Sequence, residues 1–205
     1  LMSPLTLILI LLGVALAALV VVVLVRTAQF PIDTPEPEPY PLTNIDGEEV
    51  ARHIGLAIQM KTINNVDPEK VDSIPFQGLH NLIAMLYPEV EEHLKREVIG
   101  SYSLLYTWEG SDPSLDPIAL TAHMDVVPAN EDPDSGWSYP PFSGTVADGY
   151  VWGRGAIDCK GVMIGILEAV NYLLKVGFAP KRTVYLAFGE DEEVSGARGA
   201  EKIAQ

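Results

Sequence analysis

The chain is short of cysteine, of histidine and of positive charge. Its 205 residues contain one cysteine, Cys159, so no disulfide can close within it, and cysteine usage says little about its compartment. Lys and Arg number 13 against 28 Asp and Glu, a formal net charge of −15. Nucleic acid and anionic lipid surfaces must both be met by Lys and Arg, so this balance argues against either as a binding partner. Most of the acids are expected to be solvated surface, and a minority could hold cations.

Charge of either sign is missing from Leu1 to Val25, and LTLILILLGVALAALVVVVLV (Leu5 to Val25) is almost wholly apolar. About 20 such residues span a bilayer as a helix. A cleaved signal peptide has a basic start and a shorter apolar core. Here no Lys or Arg precedes the run, and cutting after the Ala15-x-Ala17 pattern leaves a long apolar stub. An uncleaved anchor over residues 1–26 is expected, with a signal segment as the alternative. Arg26, the only nearby base, sets the orientation weakly.

After the apolar run, FPIDTPEPEPYPL reads as a stiff, extended Pro/Glu spacer within residues 27–43. Apolar residues make up 48% of the chain, enough for a packed core in residues 44–205. Asp46 is placed to cap a helix whose first turn holds Glu48 and Glu49. Helical patterns follow over Phe76 to Leu86 and from Pro88 to Leu94. Tyr102 to Trp108 reads as a strand, and Pro117 to Asp125 as a buried strand running into a loop. Residues 126–142 read as an ordered loop. SGTVADGYVWG reads as a hairpin turning at Asp148-Gly149. Gly161 to Val176 is a helix stopped by Gly177, Thr183 to Phe188 a buried strand, and Gly199 to Gln205 the start of a helix. This order predicts an α/β fold with a mixed, mainly parallel sheet and flanking helices.

Chemistry-bearing residues gather after the strands: His123 and Asp125, then Asp158, then Asp191-Glu192-Glu193. Each has an ordinary structural reading. Together, all could meet at one sheet edge, where a divalent cation would relieve the repulsion between carboxylates. Imidazole plus carboxylates is a zinc-type donor set. The stretch WGRGAIDCKG places Gly153 and Gly155 as the first two glycines of a phosphate-loop pattern, yet Asp158 stands in the third position. A carboxylate is out of place in a loop that needs only backbone to hold a phosphate, and a Gly-rich turn with Asp can also be only a turn.

TAHMDVVPA, GWSYPPFSGTVADGYVWGRGAIDCKG and FGEDEEVSGARGA closely resemble the di-zinc metallopeptidases of the aminoacylase and glutamate-carboxypeptidase type, and within them the carboxypeptidase S and N-fatty-acyl-amino acid synthase/hydrolase branches. The resemblance covers residues 46–205. It implies that His123 ligates one zinc, Asp158 bridges two, Glu193 ligates the other, Glu192 is the general base, and Asp125 holds the ring of His123. The expected reaction is hydrolysis of a peptide or N-acyl-amino-acid amide by an activated water, with zinc replaceable by cobalt or manganese. Cys159 stands where many relatives carry Asp or Asn; a buried thiol is expected there, with a nucleophile as the alternative.

The resemblance also implies a further Asp ligand, a distal His ligand and an inserted lid domain, with dimerisation through that lid. None has a counterpart up to Gln205, so the chain is expected to be the N-terminal portion of a longer, membrane-anchored enzyme. Its catalytic part would lie on the non-cytoplasmic side, or be secreted. The alternatives are a narrow small-molecule deacylase or desuccinylase, and a catalytically inactive tethered binding module. His53, His80 and His93 read as packing or surface residues. Trp137 to Phe142 could line the substrate entrance or simply be a structural loop. Lys160 and Arg154 are expected to pair with acids of the site.

Overall fold

A computed structural model describes residues 3–30 and 45–205, which fall in two units, Leu1–Thr43 and Asn44–Gln205. The Pro/Glu spacer lies, from residue 31 on, outside the described residues. In the first unit, α1 (Pro4–Ala28) begins where the Ser3 hydroxyl accepts the Thr6 N–H and Pro4 occupies the first helical turn. None of its residues is buried, and it is long and apolar enough to cross a membrane.

The second unit opens with α2 (Gly47–Gln59). Asp46 caps it as expected, its Oδ1 accepting the N–H groups of Glu48 at 3.0 Å and Glu49 at 3.3 Å. Two more helices, α3 (Ser73–Leu86) and α4 (Pro88–His93), precede β1 (Lys95–Ile99), β2 (Ser103–Trp108) and β3 (Ile118–His123). The hairpin of β4 (Thr145–Ala147) and β5 (Tyr150–Trp152) turns at Asp148 and Gly149, with φ of 55° and 80°. Two consecutive left-handed residues are what a tight two-residue hairpin needs, which is why Asp-Gly marked it. Then come α5 (Gly161–Lys175), β6 (Val184–Gly189) and the short α6 (Ala200–Ile203). After α5 the chain turns at Gly177, φ 74°, where the Gly177 and Phe178 N–H groups donate to the Leu174 and Leu173 carbonyls.

The main sheet has the order β1-β2-β6-β3. The expectation of a mainly parallel sheet is not met: β1–β2 and β2–β6 are antiparallel, and only β3–β6 is parallel. Part of the reason lies in β1, whose KREVI sequence carries three charges and gives no apolar signal. It leads into β2 through a tight turn at Gly100, φ 68°, and so short a connection allows only an antiparallel pair. The parallel pair is joined by a long crossover through β4, β5 and α5. One face of the sheet carries Leu104, Tyr106, Leu186 and Phe188, all wholly buried against Met163, Ile164 and Leu167 of α5 and the Phe76, Leu79 and Ile83 stripe of α3. Burying each such side chain contributes about 1.5–3 kcal/mol. On the other face Leu105, Ala119, Thr121, Tyr185 and Ala187 line an open, largely apolar groove of about 680 Å³. Hence β3, expected to be buried, is exposed from Ile118 to Thr121: it is the edge strand, with one face on that groove.

Candidate metal centre

Parallel pairing decides where the chemistry goes. The register aligns His123, the last residue of β3, with Gly189, the last of β6. Both strands therefore release their loops at one edge, the usual place for function in such sheets. The β3 loop carries Asp125, and the β6 loop carries Glu192 and Glu193. The third segment arrives from β5. A Cβ on Gly155, at φ 82°, would meet Val126 Cγ1 at 2.6 Å, and one on Gly153 would meet Ile58 Cγ2 at 2.6 Å. The glycines let this loop pack directly against α2 and against the residue after Asp125, which brings Asp158 to the same edge.

There the imidazole of His123 is held from both ends. Its Nδ1 donates to the Asp125 backbone carbonyl at 3.0 Å and lies 3.3 Å from Asp125 Oδ1. A carbonyl only accepts, so Nδ1 carries the hydrogen and Nε2 is the nitrogen left to face the site. Nε2 stands 2.9 Å from Asp158 Oδ1 and 3.9 Å from Glu192 Oε2. Asp125 is wholly buried. Its Oδ1 accepts the Glu192 N–H and its Oδ2 the Glu193 N–H, each at 3.1 Å. One carboxylate thus ties the β3 loop to the β6 loop.

The electrostatics match a site built around a cation. Burial raises the Glu193 pKa, and the charge of Asp158 raises it further. Burial disfavours the charged form of His123, yet hydrogen bonds to Asp125 and Asp158 outweigh this and lift its pKa to about 10. The proton on the ring is compensating surplus negative charge, which a metal ion would do better. The ligating atoms of His123, Asp158 and Cys159 lie within 4.8 Å of one another, a nitrogen, oxygen and sulfur set that suits a divalent transition metal.

Residues 119–205 match the family described as Peptidase family M20/M25/M40. The chain carries an M20 peptidase family domain. It is 47% identical to carboxypeptidase S of Saccharomyces cerevisiae over 131 residues, 63% of this chain and 23% of that protein. It is 42% identical to the N-fatty-acyl-amino acid synthase/hydrolase PM20D1 of Bos taurus over 150 residues, 72% of this chain and 29% of the relative. The M20 chain therefore spans a quarter to a third of these relatives. Human carnosine dipeptidase 1 shares its fold with a TM-score of 0.59 at 21% identity, covering 74% of this chain and 33% of that one.

Within this M20 chain, the sequence-derived site residues converge unevenly. His123, Asp158 and the carboxylate of Glu192 come together at the ring nitrogen, and Asp125 lies beside the ring. Glu193 is anchored through its backbone and senses Asp158 and His123, but it is not one of the close trio; Cys159 is. The thiol is half-buried rather than buried. Among the described residues, Lys160 does not pair with an acid. It is wholly buried, and its Nζ donates to the carbonyls of Ala57 and Met60 at the end of α2. Arg154 does not pair with one either. Its guanidinium lies over Trp137, 5.6 Å from the ring centroid, and pins the 126–142 loop. His53 packs as expected, against Glu168 and Tyr87. Asp191, grouped in the sequence with Glu192 and Glu193, and Glu190, which the pattern missed, are structural: Asp191 accepts the Arg198 and Gly199 N–H groups at 2.8 Å, and Glu190 accepts those of Tyr102 and Ser103. Adjacent acids look alike in sequence, and only burial separates these two structural members from Glu192.

Proposed function

We propose that the protein is a zinc-dependent hydrolase of peptide or N-acyl-amino-acid amide bonds, of carboxypeptidase or aminoacylase type. The observation that carries this reading is the Asp125 carboxylate, which holds the His123 ring and the Glu192 and Glu193 backbones in one frame. In that frame His123 and Asp158 would hold one ion, and Asp158 and Glu193 a second. Zinc bound there would polarise the substrate carbonyl and lower the pKa of the attacking water. Glu192 is largely exposed and faces the same edge, so it would serve as the base that takes a proton from the attacking water and returns it to the leaving amine. Asp125 keeps the Nδ1 hydrogen in place, which leaves Nε2 as the donor to metal. We further propose that α1 anchors the protein as a single membrane span, with residues 45–205 on the non-cytoplasmic side. The presence of both Glu192 and Glu193 favours a working hydrolase over an inactive tethered module.

The test is zinc stoichiometry in the full-length protein, with the release of free amino acids from N-acyl amino acids and peptides. Two zinc ions per chain and zinc-restored amide hydrolysis are expected. A protein that binds no metal is instead the binding module.

The metal-free site also predicts a pH dependence. The His123 pKa is raised from 6.5 to about 10, so the folded state binds this proton more tightly than the unfolded chain. Its contribution to stability is complete below pH 6.5 and is lost as pH rises through about 10. Over the same window zinc meets less proton competition. Its affinity is expected to tighten by up to about tenfold per pH unit while the metal-free melting temperature falls. A pH-independent zinc affinity across this range would show that His123 is not a ligand.

A further inference from the structure

One stretch of chain touches all three ligand-bearing segments. It is AIQMKTIN, residues 57–64, where α2 ends and the chain turns toward the site. The Asp158 segment reaches it through Lys160, whose Nζ donates to the Ala57 carbonyl at 3.0 Å and the Met60 carbonyl at 2.5 Å. The His123–Asp125 segment reaches it through Thr62. The wholly buried Thr62 hydroxyl donates to the Met124 carbonyl at 2.6 Å, and the Thr62 carbonyl accepts the Val126 N–H at 3.0 Å. Ile63 bridges to Val126 beside it. The Glu192–Glu193 segment reaches it through Asn64, whose Nδ2 donates to the Glu190 carbonyl and whose Oδ1 accepts Arg198 Nη2 at 2.7 Å.

We propose that residues 57–64 form a common strap that sets the spacing of the three segments, and that the Thr62 hydroxyl is its positioning group for the metal centre. The inference rests on the metal-centre reading above. Met124 lies between His123 and Asp125. The orientation of its peptide group decides whether the ring of His123 and the carboxylate of Asp125 face the β6 loop. Its N–H, on the peptide from His123, donates to the Gly189 carbonyl at 2.8 Å; its carbonyl, on the peptide to Asp125, is held by Thr62. Without the hydroxyl that peptide can rotate. Asp125 then loses its alignment with the Glu192 and Glu193 N–H groups, and the His123 ring loses its rest. Thr62 is a positioning residue: it touches neither substrate nor ion.

The substitution that separates positioning from packing is Thr62→Val, which keeps the shape and removes the hydroxyl; Thr62→Ser keeps the hydroxyl and removes the methyl. In the full-length protein, zinc affinity is read by competition with a chromophoric chelator, ligand geometry by the visible spectrum after Co²⁺ loading, and stability by melting the metal-free protein. Thr62→Val is expected to bind zinc about 10-fold more weakly and to alter the Co²⁺ spectrum, with Thr62→Ser restoring both. Should Thr62→Val not fold, Thr62→Ala is read in the same way. A Thr62→Val protein that melts earlier but keeps wild-type affinity and spectrum would overturn the proposal, as would a Thr62→Ser protein no better than Thr62→Val. Wild-type protein that binds no zinc overturns the metal-centre reading itself, a result distinct from either.

Discussion

Glu192→Gln is expected to lower turnover by about 10³-fold while zinc binding stays within about twofold of wild type. The two effects separate because of how Glu192 is held. Its backbone N–H is anchored by Asp125, and a substitution that keeps the backbone keeps that anchor. Its carboxylate is 62% exposed and lies 3.9 Å from the His123 ring nitrogen, so it contributes little to packing. Glutamine has the same size and can still orient a water, but it cannot take a proton. The measurement is kcat on an N-acyl amino acid beside zinc stoichiometry in the same preparation. Normal turnover in this variant removes Glu192 from the role of base, and loss of zinc along with turnover makes it a ligand instead.

Asp125→Asn is expected to act through the frame rather than the chemistry. Asp125 is wholly buried and accepts two backbone N–H groups from the β6 loop while resting against the His123 ring. An asparagine side chain has one oxygen, so its amide nitrogen must face the N–H of either Glu192 or Glu193. One buried donor is then left without an acceptor, which costs about 1–3 kcal/mol of stability. The His123 ring also loses the charge beside its Nδ1, and zinc affinity is expected to fall about 10–100-fold. Denaturant unfolding and chelator competition read the two effects separately. A variant that unfolds at the wild-type midpoint and binds zinc as tightly would show that the Asp125 link is not what holds the loops together.

Local signals were legible wherever one residue answers one backbone demand. Asp46 at a helix start, Asp148-Gly149 between two short strands and Gly177 at a helix end each marked the element they terminate. The H-x-D, G-x-G-x-x-D and D-E-E groups were legible because each follows an apolar strand or hairpin, where α/β sheets gather their chemistry. The strand β1 was not, because its exposed surface carries charges that a loop would also carry. The exposure of β3 was hidden as well: IALTAH is apolar whether or not its partner face is covered.

The site divides along the same line. Sequence alone supplied the donors, since imidazole and carboxylate chemistry belongs to the residue type, and the apolar N-terminal helix, since twenty-odd apolar residues leave few other solutions. Tertiary structure alone decided the direction of the sheet, the membership of Cys159 in the close trio, the turn of Lys160 away from the acids, and the gathering of three loops by Thr62, Lys160 and Asn64. Those contacts join residues up to 126 positions apart through main-chain carbonyls. A carbonyl is the same in every residue, so no side-chain pattern announces which one a distant hydroxyl or ammonium will find.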